Sequence, residues 1–211
     1  CPVIAKETVL DLGSGVGGVA FCILFRQPDC HITCLENNSE YSQLAIENIK
    51  LNSAEKNMTV IESDLQSYSP PEKNRRFNHV VCNPPYFDAG HHISSPDPKI
   101  ADAKGYTSSN IGLEDWVDTA FHSLKPGGSF TMIHQAQTLD KILLSYRKRF
   151  GAVQVFPLWP KQNRDAKRVV VRALKDRKTP MKLHQGLVLH KADGTYTKEA
   201  DHVLKTGSRL F

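Results

Sequence analysis

The sequence predicts an α/β fold: a mostly parallel sheet of seven strands with helices on both faces and a small C-terminal hairpin and helix. Short apolar runs alternate with segments of helical periodicity, without a break in composition. The first run ends in a glycine-rich turn, and acidic or amide residues follow the next runs. This alternation is typical of parallel strands joined by crossover helices, with the strand ends meeting at one edge.

Each element is expected where an apolar pattern is bounded by turn residues. Strands are expected at residues 8–12, 32–36, 58–62, 79–82, 129–134, 154–157 and 169–173. Helices are expected at 17–25, 40–51, 113–123 and 139–149, and a Lys-Pro-Gly-Gly turn at 125–128. Segments 187–190 and 194–196 flank Ala192-Asp193, which predicts a small hairpin before a last helix.

Composition favours one soluble domain covering residues 1–211. The chain has 211 residues with 40% apolar content, enough for a substantial core. No apolar stretch reaches the ~20 residues of a membrane span, and no signal peptide is evident. Five cysteines without a Cys-x-x-Cys pair indicate reduced thiols and a cytoplasmic protein. The pair His91-His92 lacks further ligands at suitable spacing, so no metal site is expected.

The glycine-rich turn at residues 13–18 predicts a site for a nucleotide-like ligand. Gly13, Gly15 and Gly18 fit a dinucleotide-binding fingerprint, with Glu36 as its ribose-binding acid. Asp11 favours a different ligand, because an acid just before the glycines attracts a cationic amino-acid end and repels a pyrophosphate. Asp64, after the third expected strand, is placed to receive an adenine amino group.

Asn83-Pro84-Pro85-Tyr86 follows an apolar run and is predicted to lie where a buried strand opens into a loop. An amino group on a base is a poor nucleophile because its lone pair is delocalised. Two acceptors, the Asn83 side-chain oxygen and the Pro84 carbonyl, would draw the nitrogen toward a tetrahedral form that attacks a methyl group. The prolines restrict φ and remove backbone donors, and Tyr86 offers a stacking face.

With these residues in strand order, the chain resembles class I S-adenosylmethionine-dependent methyltransferases, which have a Rossmann-like fold and methylate amino groups. The resemblance covers most of residues 7–173. It implies that Asn83 to Tyr86 hold the target nitrogen and that a further set holds the cofactor. That set is Asp11, Gly13, Ser14, Gly15, Gly17, Glu36, Asn37, Asp64, Leu65 and Asn83.

The closer resemblance is to bacterial tRNA(Val) adenine-N6 methyltransferases. It rests on Asn83 to Phe87 and on residues 194–201, Gly-Thr-Tyr-Thr-Lys-Glu-Ala-Asp. It implies methylation of the adenosine next to the anticodon, position 37. Enzymes of this class carry residues upstream of the first strand that close over the cofactor. Because the chain opens with Cys1-Pro2, we expect such residues to be missing here.

A basic segment predicts contact with RNA. Residues 141–182 hold 13 Lys or Arg against two Asp, a local charge of +11 in a chain of +5. Neutralised phosphates release counterions, which makes such a segment suited to nucleic acid. The loop after the sixth strand is expected at the same edge as Asn83, bringing to the active site Trp159, Lys161, Arg164, Lys167 and Arg168. The long segment 88–112 is a candidate lid over the target nucleotide.

Two other functions stay open. A glutamine-N5 methyltransferase acting on a release factor would use Asn-Pro-Pro-Tyr equally well, since an amide nitrogen has the same chemistry. A nicotinamide-dependent oxidoreductase would use the same glycines, although no residue for hydride transfer is evident. DNA is also compatible with the charge, because phosphate contacts carry no identity.

Overall fold

The computed structural model describes residues 2–73, 76–85 and 111–210, and these form a sheet of nine strands. The strands are β1 Thr8–Leu12, β2 His31–Glu36, β3 Met58–Glu62, β4 Phe77–Cys82, β5 Leu124–Gln135, β6 Phe150–Lys161, β7 Arg168–Lys175, β8 Lys182–Leu183 and β9 Leu187–His190. The helices are α1 Gly18–Arg26, α2 Ser39–Leu51, α3 Leu113–Ser123, α4 Leu139–Tyr146 and α5 Lys198–Thr206. Among them, none is long and apolar enough to cross a membrane.

The strand order is β3-β2-β1-β4-β5-β7-β6, with β8 and β9 both pairing with the outer side of β6. Strands β1 to β5 run parallel, whereas β7 is antiparallel to both β5 and β6. Strand β6 therefore runs in the same direction as β4. We call the edge where β1 to β6 end the site edge and the other edge the opposite edge.

Each face of the sheet carries its own apolar core. Ala20 and Ile23 of α1 and Ile49 of α2 pack on one face, around Val9 and Val81. Helices α3 and α4 pack on the other face, where they cover a larger cluster that includes Trp116, Val117, Phe130, Ile142, Tyr146 and Val171. Alternate residues of one strand thus enter different cores, as a period of two requires.

Local sequence explains where several helices begin. Asn38 caps α2, since its side-chain oxygen accepts a hydrogen bond of 3.0 Å from the Tyr41 N–H. Thr197 caps α5 in the same way, accepting from the Ala200 N–H. Gly17, with φ +91°, precedes α1. Helix starts of this kind fix where the chain turns from a strand or loop into the next helix.

The predicted architecture is confirmed, with differences at the element ends. Strand β9 is the first arm of the predicted hairpin, whereas the two-residue strand β8 and the pairing of both strands with β6 were not predicted, because no local pattern reveals the free edge of β6. Helix α4 ends at Tyr146 rather than at residue 149, and Lys148 has a left-handed φ of +68°. The predicted turn at 125–128 is a bulge inside β5, where four residues lie opposite Asn78 alone.

Candidate functional site

Strands β2, β1 and β4 end side by side at the site edge. Leu12, at the end of β1, is in register with Leu35 of β2 and Cys82 of β4. One residue later the three strands reach Gly13, Glu36 and Asn83, which the topology thereby brings together. Ligands of open α/β sheets bind outside such carboxyl ends. The predicted site residues of these three strands therefore share one place in the fold.

Only some positions of the glycine turn have backbone conformations that require glycine. Gly13, Gly15 and Gly17 have φ of +66°, +54° and +91°, the left-handed region that favours glycine. Gly18 has no such angle and is the first residue of α1. The spacing that matters is hence Gly13-x-Gly15-x-Gly17, the set that the methyltransferase resemblance implied, rather than the dinucleotide spacing that ends at Gly18.

Glu36 ties this turn to β2. Its buried carboxylate accepts hydrogen bonds from the N–H of Gly15 at 2.7 Å and from the N–H of Asn38 at 2.9 Å. The N–H groups of Gly13 and Ser14 both donate to the Leu35 carbonyl. A carboxylate has about four acceptor positions, so Glu36 keeps capacity for ligand hydroxyl groups.

Asp11 is a buried carboxyl group with an unpartnered oxygen. Its residue is 1% exposed, and Oδ2 has no hydrogen-bond partner among the described residues. Burial, with a smaller contribution from the charge of Glu36, raises the pKa of Asp11 to about 7, although a hydrogen bond from the Ala20 backbone acts in the other direction. A cationic ligand group beside Oδ2 would offset this desolvation, and Asp11 therefore fits an ammonium.

Asp64 lies past the end of β3 and shapes its own turn. Oδ1 accepts from the Ser67 N–H at 2.7 Å and Oδ2 from the Ser67 hydroxyl at 2.8 Å, and these hydrogen bonds lower the pKa of Asp64. Leu65 is buried beside it, whereas Asn37 at the end of β2 is exposed. Each Asp64 oxygen keeps a further lone pair for a ligand amino group.

Trp116 of α3 borders the glycine turn, a neighbour that the sequence analysis missed. The indole ring lies against Gly13, where a Cβ would come within 2.7 Å of Trp116 Cη2. Trp116 is buried, and its Nε1 has no hydrogen-bond partner among the described residues. Nothing in the local pattern marks it, because a tryptophan on the buried face of a helix is ordinarily core. Only the fold brings α3 to the glycine turn.

The Asn-Pro-Pro segment continues β4 at the site edge. Asn83 is exposed, Pro84 is buried and Pro85 is partly buried. This placement agrees with the predicted opening of a buried strand into a loop. Tyr86 lies outside the described residues, as do most of the proposed lid segment 88–112 and the pair His91-His92. Within the described residues no group of three or more His, Cys, Asp or Glu could hold a metal ion.

The basic segment 141–182 divides between the two edges of the sheet. Lys161, Arg164 and Lys167 lie at or beyond the end of β6, at the site edge as predicted. Because β6 starts and β7 ends at the opposite edge, a second basic cluster lies roughly 25 Å away along these strands. This opposite-edge cluster is Arg147, Lys148, Arg177 and Lys178. The basic segment, with its local charge of +11, therefore forms two patches.

The predicted RNA-contacting residues also divide between the two faces. Leu158 of β6 is in register with Arg168 of β7, so their side chains share the α1 face of the sheet. Trp159 and Lys161 alternate with Leu158 and Pro160, and they lie toward the α3 face. Arg168 is therefore separated from Trp159 and Lys161 by the thickness of the sheet, a relation that sequence proximity conceals.

A buried Ser–His–Glu series lies at the opposite edge. His79 Nδ1 lies 2.7 Å from Ser129 Oγ, and Nε2 lies 2.8 Å from Glu7 Oε2. Burial is the largest influence on His79 and lowers its pKa, despite the partner Glu7. Ser129 is 1% exposed, so its hydroxyl is closed to a substrate. These contacts join β4 to β5 and to the residue before β1, at the edge away from the site.

Comparison with known sequences identifies the family. The methyltransferase small domain family matches residues 2–157. A tRNA1(Val) (adenine(37)-N6)-methyltransferase from Aeromonas hydrophila is 32% identical over 199 residues, covering 93% of this chain and 80% of that protein. A release factor glutamine methyltransferase from Salmonella typhimurium is 28% identical over 144 residues, covering 66% of this chain and 50% of that protein.

Solved structures share the fold. A predicted O-methyltransferase from Agrobacterium tumefaciens superposes with a TM-score of 0.76 at 22% identity, covering 97% of this chain and 93% of that one. A tRNA (m1A58) methyltransferase from Aquifex aeolicus gives 0.58 at 16% identity, covering 82% and 65%. The glycine turn, the acids at the strand ends and these similarities agree: the chain belongs to the methyltransferase small domain family and is an S-adenosylmethionine-dependent methyltransferase.

Proposed function

We propose that this enzyme methylates the exocyclic N6 of adenine in tRNA, at adenosine 37 next to the anticodon. The observation that carries the proposal is the position of Asn83-Pro84-Pro85, which leaves β4 directly beside the glycine turn at the end of β1. The relative named for this reaction covers 93% of the chain at 32% identity, which supports adenine in tRNA as the substrate.

The residues of the glycine turn and its neighbours fit S-adenosylmethionine. The unpartnered Asp11 Oδ2 suits the amino group of its methionine end, next to the turn that contains Ser14. Above Gly15 no atom lies within 4 Å of where a Cβ would be, which leaves backbone open to a ligand. Glu36 keeps acceptor positions for ribose hydroxyls, and Asp64, flanked by Leu65, keeps them for the adenine amino group. When bound, the cofactor supplies an electrophilic methyl group.

The chain itself contributes orientation of the acceptor nitrogen. The Asn83 side-chain oxygen and the Pro84 carbonyl accept the two hydrogens of the adenine amino group, and Pro85 keeps this turn rigid. Tyr86 stacks on the base. Positioning of this kind supplies most of the acceleration. The nitrogen becomes a strong acid once methylated and loses a proton to solvent, so no strong general base is needed.

The site-edge cations supply the RNA-binding surface. Lys161, Arg164 and Lys167 are exposed, and Trp159 is partly exposed beside them. Arg168 contributes from the other face. Cations interleaved with an aromatic ring suit the phosphates and unstacked bases of a loop RNA. Extrusion of a base costs little in a loop, which makes an anticodon-loop adenosine an accessible target.

We also propose a cytoplasmic location, from the state of the cysteines. All the described cysteines are free, and Cys30, Cys34 and Cys82 are buried. Free thiols are typical of the reducing cytoplasm, where tRNA is modified, and we place the enzyme there.

Methylation of a glutamine side chain in a protein is the second candidate. The similarity to the Salmonella typhimurium enzyme favours it, and Asn83 with Pro84 would bind an amide nitrogen equally well. The basic site edge favours RNA instead, since a protein substrate gives no reason for clustered exposed cations there.

Methyl transfer from radiolabelled S-adenosylmethionine tests the two candidates together. Unmodified total tRNA, ribosomal RNA, DNA and a protein extract are incubated in parallel, and the labelled product is identified after digestion. N6-methyladenosine confined to tRNA is the expected result. Label in protein, recovered as N5-methylglutamine, would instead establish the second candidate.

A further inference from the structure

The C-terminal hairpin, residues 187–197, extends the site edge beyond β6. Strand β9 lies parallel to β6, with Trp159 in register with Val188 and Lys161 with His190. The hairpin is therefore built onto the end of the strand that carries the proposed RNA-binding residues. The sequence predicts the hairpin but gives it no role.

Two aromatic rings of this hairpin are stacked. The centroids of His190 and Tyr196 lie 4.9 Å apart with 25° between the ring planes, and the two backbones form an antiparallel bridge. His190 Nδ1 hydrogen bonds the Pro160 carbonyl at 3.2 Å, which holds the histidine ring on the end of β6. Tyr196 nevertheless remains 47% exposed. The stack holds the tyrosine in place without burying it.

The turn between the rings is well ordered by hydrogen bonds. The Lys191 N–H donates to the Thr195 carbonyl at 2.8 Å. Asp193 Oδ1 accepts from the N–H of Thr195 at 2.9 Å and from its hydroxyl at 2.7 Å, and these bonds lower the pKa of Asp193. Gly194 has a left-handed φ of +92°. A ring held by such a turn loses little conformational freedom on binding.

Two lysines lie at the hairpin turn. Lys161 Nζ donates to the Ala192 carbonyl at 2.9 Å, which places the ammonium group on the hairpin turn. Lys191 is exposed in the same turn. Trp159 borders the hairpin, where its Nε1 donates to the Gln185 carbonyl at 3.1 Å. An exposed ring on a hairpin that also carries lysine ammonium groups is a combination by which proteins bind an unpaired nucleotide, with the base on the ring and the phosphate at the cations.

The distance between the stack and Asn83 indicates how far from the target adenosine a base bound at the stack would be. Four strand spacings, about 19 Å, separate β9 from β4 and Asn83. His190 lies on the α3 face of the sheet. The distance exceeds what one nucleotide spans, so a base at this stack lies several nucleotides from the target adenosine.

From these contacts we infer that His190 and Tyr196 form a stacking platform for an unpaired base of the RNA substrate, several nucleotides away from the methylated adenosine. The inference rests on the proposed function, because it assigns the hairpin to the same RNA. The platform gives the enzyme a second base contact at a fixed distance from the target site, and this contact positions the remainder of the loop.

A thermodynamic cycle tests the platform. The RNA is an unmodified tRNA1(Val) anticodon stem-loop, with each loop nucleotide in turn made abasic. The enzymes are wild type, Tyr196→Leu, which keeps apolar bulk without the aromatic face, and Tyr196→Phe. On the intact RNA, Tyr196→Leu is expected to raise the dissociation constant about 5- to 150-fold. Tyr196→Phe should bind like wild type, and the melting temperature and cofactor affinity should stay unchanged in both.

The abasic series identifies the stacked base. At one position, not adjacent to the target, the abasic RNA should bind wild type as weakly as Tyr196→Leu binds intact RNA, and combining both changes should add nothing. Two results would overturn the platform while leaving the proposed function in place. One is that Tyr196→Leu lowers RNA affinity by the same factor at every abasic position, and the other is that it does not lower the affinity for intact RNA. Failure of the proposed function would give a different result, because the wild type would then form no N6-methyladenosine in the intact RNA.

Discussion

The side chain of Glu36 accepts a 2.7 Å hydrogen bond from the backbone N–H of Gly15, and this bond fastens the glycine turn to the end of β2. The other oxygen accepts from Asn38, which caps α2. One carboxylate thus fixes the glycine turn, the start of a helix and, by our proposal, the ribose of the cofactor. Stability and ligand binding should change together at this residue.

Glu36→Gln should lower both the stability of the protein and its affinity for the cofactor. The amide offers one acceptor oxygen in place of two, so one partly buried N–H loses its partner, at a cost of about 1 kcal/mol in the free energy of unfolding. Cofactor affinity should fall roughly tenfold or more, because the same group serves both roles. Denaturant unfolding and calorimetric titration measure the two effects. Glu62→Gln is the matched control, since exposed Glu62 is the register partner of Glu36 on β3. Equal effects at both positions would contradict the assignment.

Gly13→Ala and Gly18→Ala should differ sharply. A Cβ at Gly13 would meet Trp116 at 2.7 Å on a backbone with φ +66°, so we expect a loss of stability of about 2 kcal/mol or more, together with weaker cofactor binding. At Gly18 no atom lies within 4 Å and φ is not positive, and alanine there should maintain or raise stability. Thermal unfolding and cofactor titration of both variants compare them directly. A damaging Gly18→Ala would favour the dinucleotide spacing instead, because Gly18 belongs to that spacing alone whereas Gly13 belongs to both.

Asp11→Asn should stabilise the ligand-free protein and weaken cofactor binding. The native pKa of about 7 exceeds the ordinary value of 3.8, so the folded state holds a proton that the unfolded state releases. Stability therefore falls as pH rises from about 4 to 7, by at most about 4 kcal/mol. The asparagine removes this pH dependence. Unfolding at pH 5 and pH 8 measures it, and an unchanged slope in the variant would refute it.

Cofactor affinity should carry the opposite pH dependence at the same residue. The ionised Asp11 pairs with the cationic amino group, so binding by the wild type should weaken as pH falls below about 7. Asp11→Asn should bind weakly at every pH. Calorimetric titration with S-adenosylhomocysteine between pH 5.5 and 8.5 follows the change, and a pH-independent wild type would place the amino group elsewhere.

Asn83→Ala should abolish methyl transfer while sparing the cofactor. Asn83 is exposed, so its truncation should leave stability within about 0.5 kcal/mol of wild type. The amino group would lose one of its two acceptors, and misplacement of this kind costs about 100-fold or more in kcat. Single-turnover kinetics and calorimetric titration separate the two quantities. Substantial activity in this variant would show that the assigned mechanism is wrong.

The two basic clusters should differ in their effect on RNA affinity. Replacing Lys161, Arg164 and Lys167 by alanine should weaken tRNA binding and reduce its salt dependence, since each lost phosphate contact lowers the logarithmic slope by about 0.7–0.9. Replacing Arg147, Lys148 and Arg177 changes the net charge equally but acts at the opposite edge. Affinities measured across a salt series distinguish local contact from general attraction. Equal slopes for the two triple variants would assign the RNA to both edges.

The sequence alone determined the order and type of most elements. Thr8–Leu12, Met58–Glu62 and Leu113–Ser123 were predicted to the residue. Apolar periodicity and turn residues are local signals, and they suffice where a segment lies fully in one strand or helix. The positions of Asp11, Glu36 and Asn83 at strand ends follow from the same signals, because parallel strands place their carboxyl ends together.

Only the tertiary structure decided which residues meet across the chain. Trp116 reaches Gly13, and His190 meets Tyr196 on the end of β6, through packing and pairing that no local pattern encodes. The basic segment that the sequence shows as continuous is divided between two edges, because β6 and β7 run in opposite directions. Local propensity fixes each element, whereas strand order and direction, set by burial over the whole sheet, fix the neighbours of each side chain.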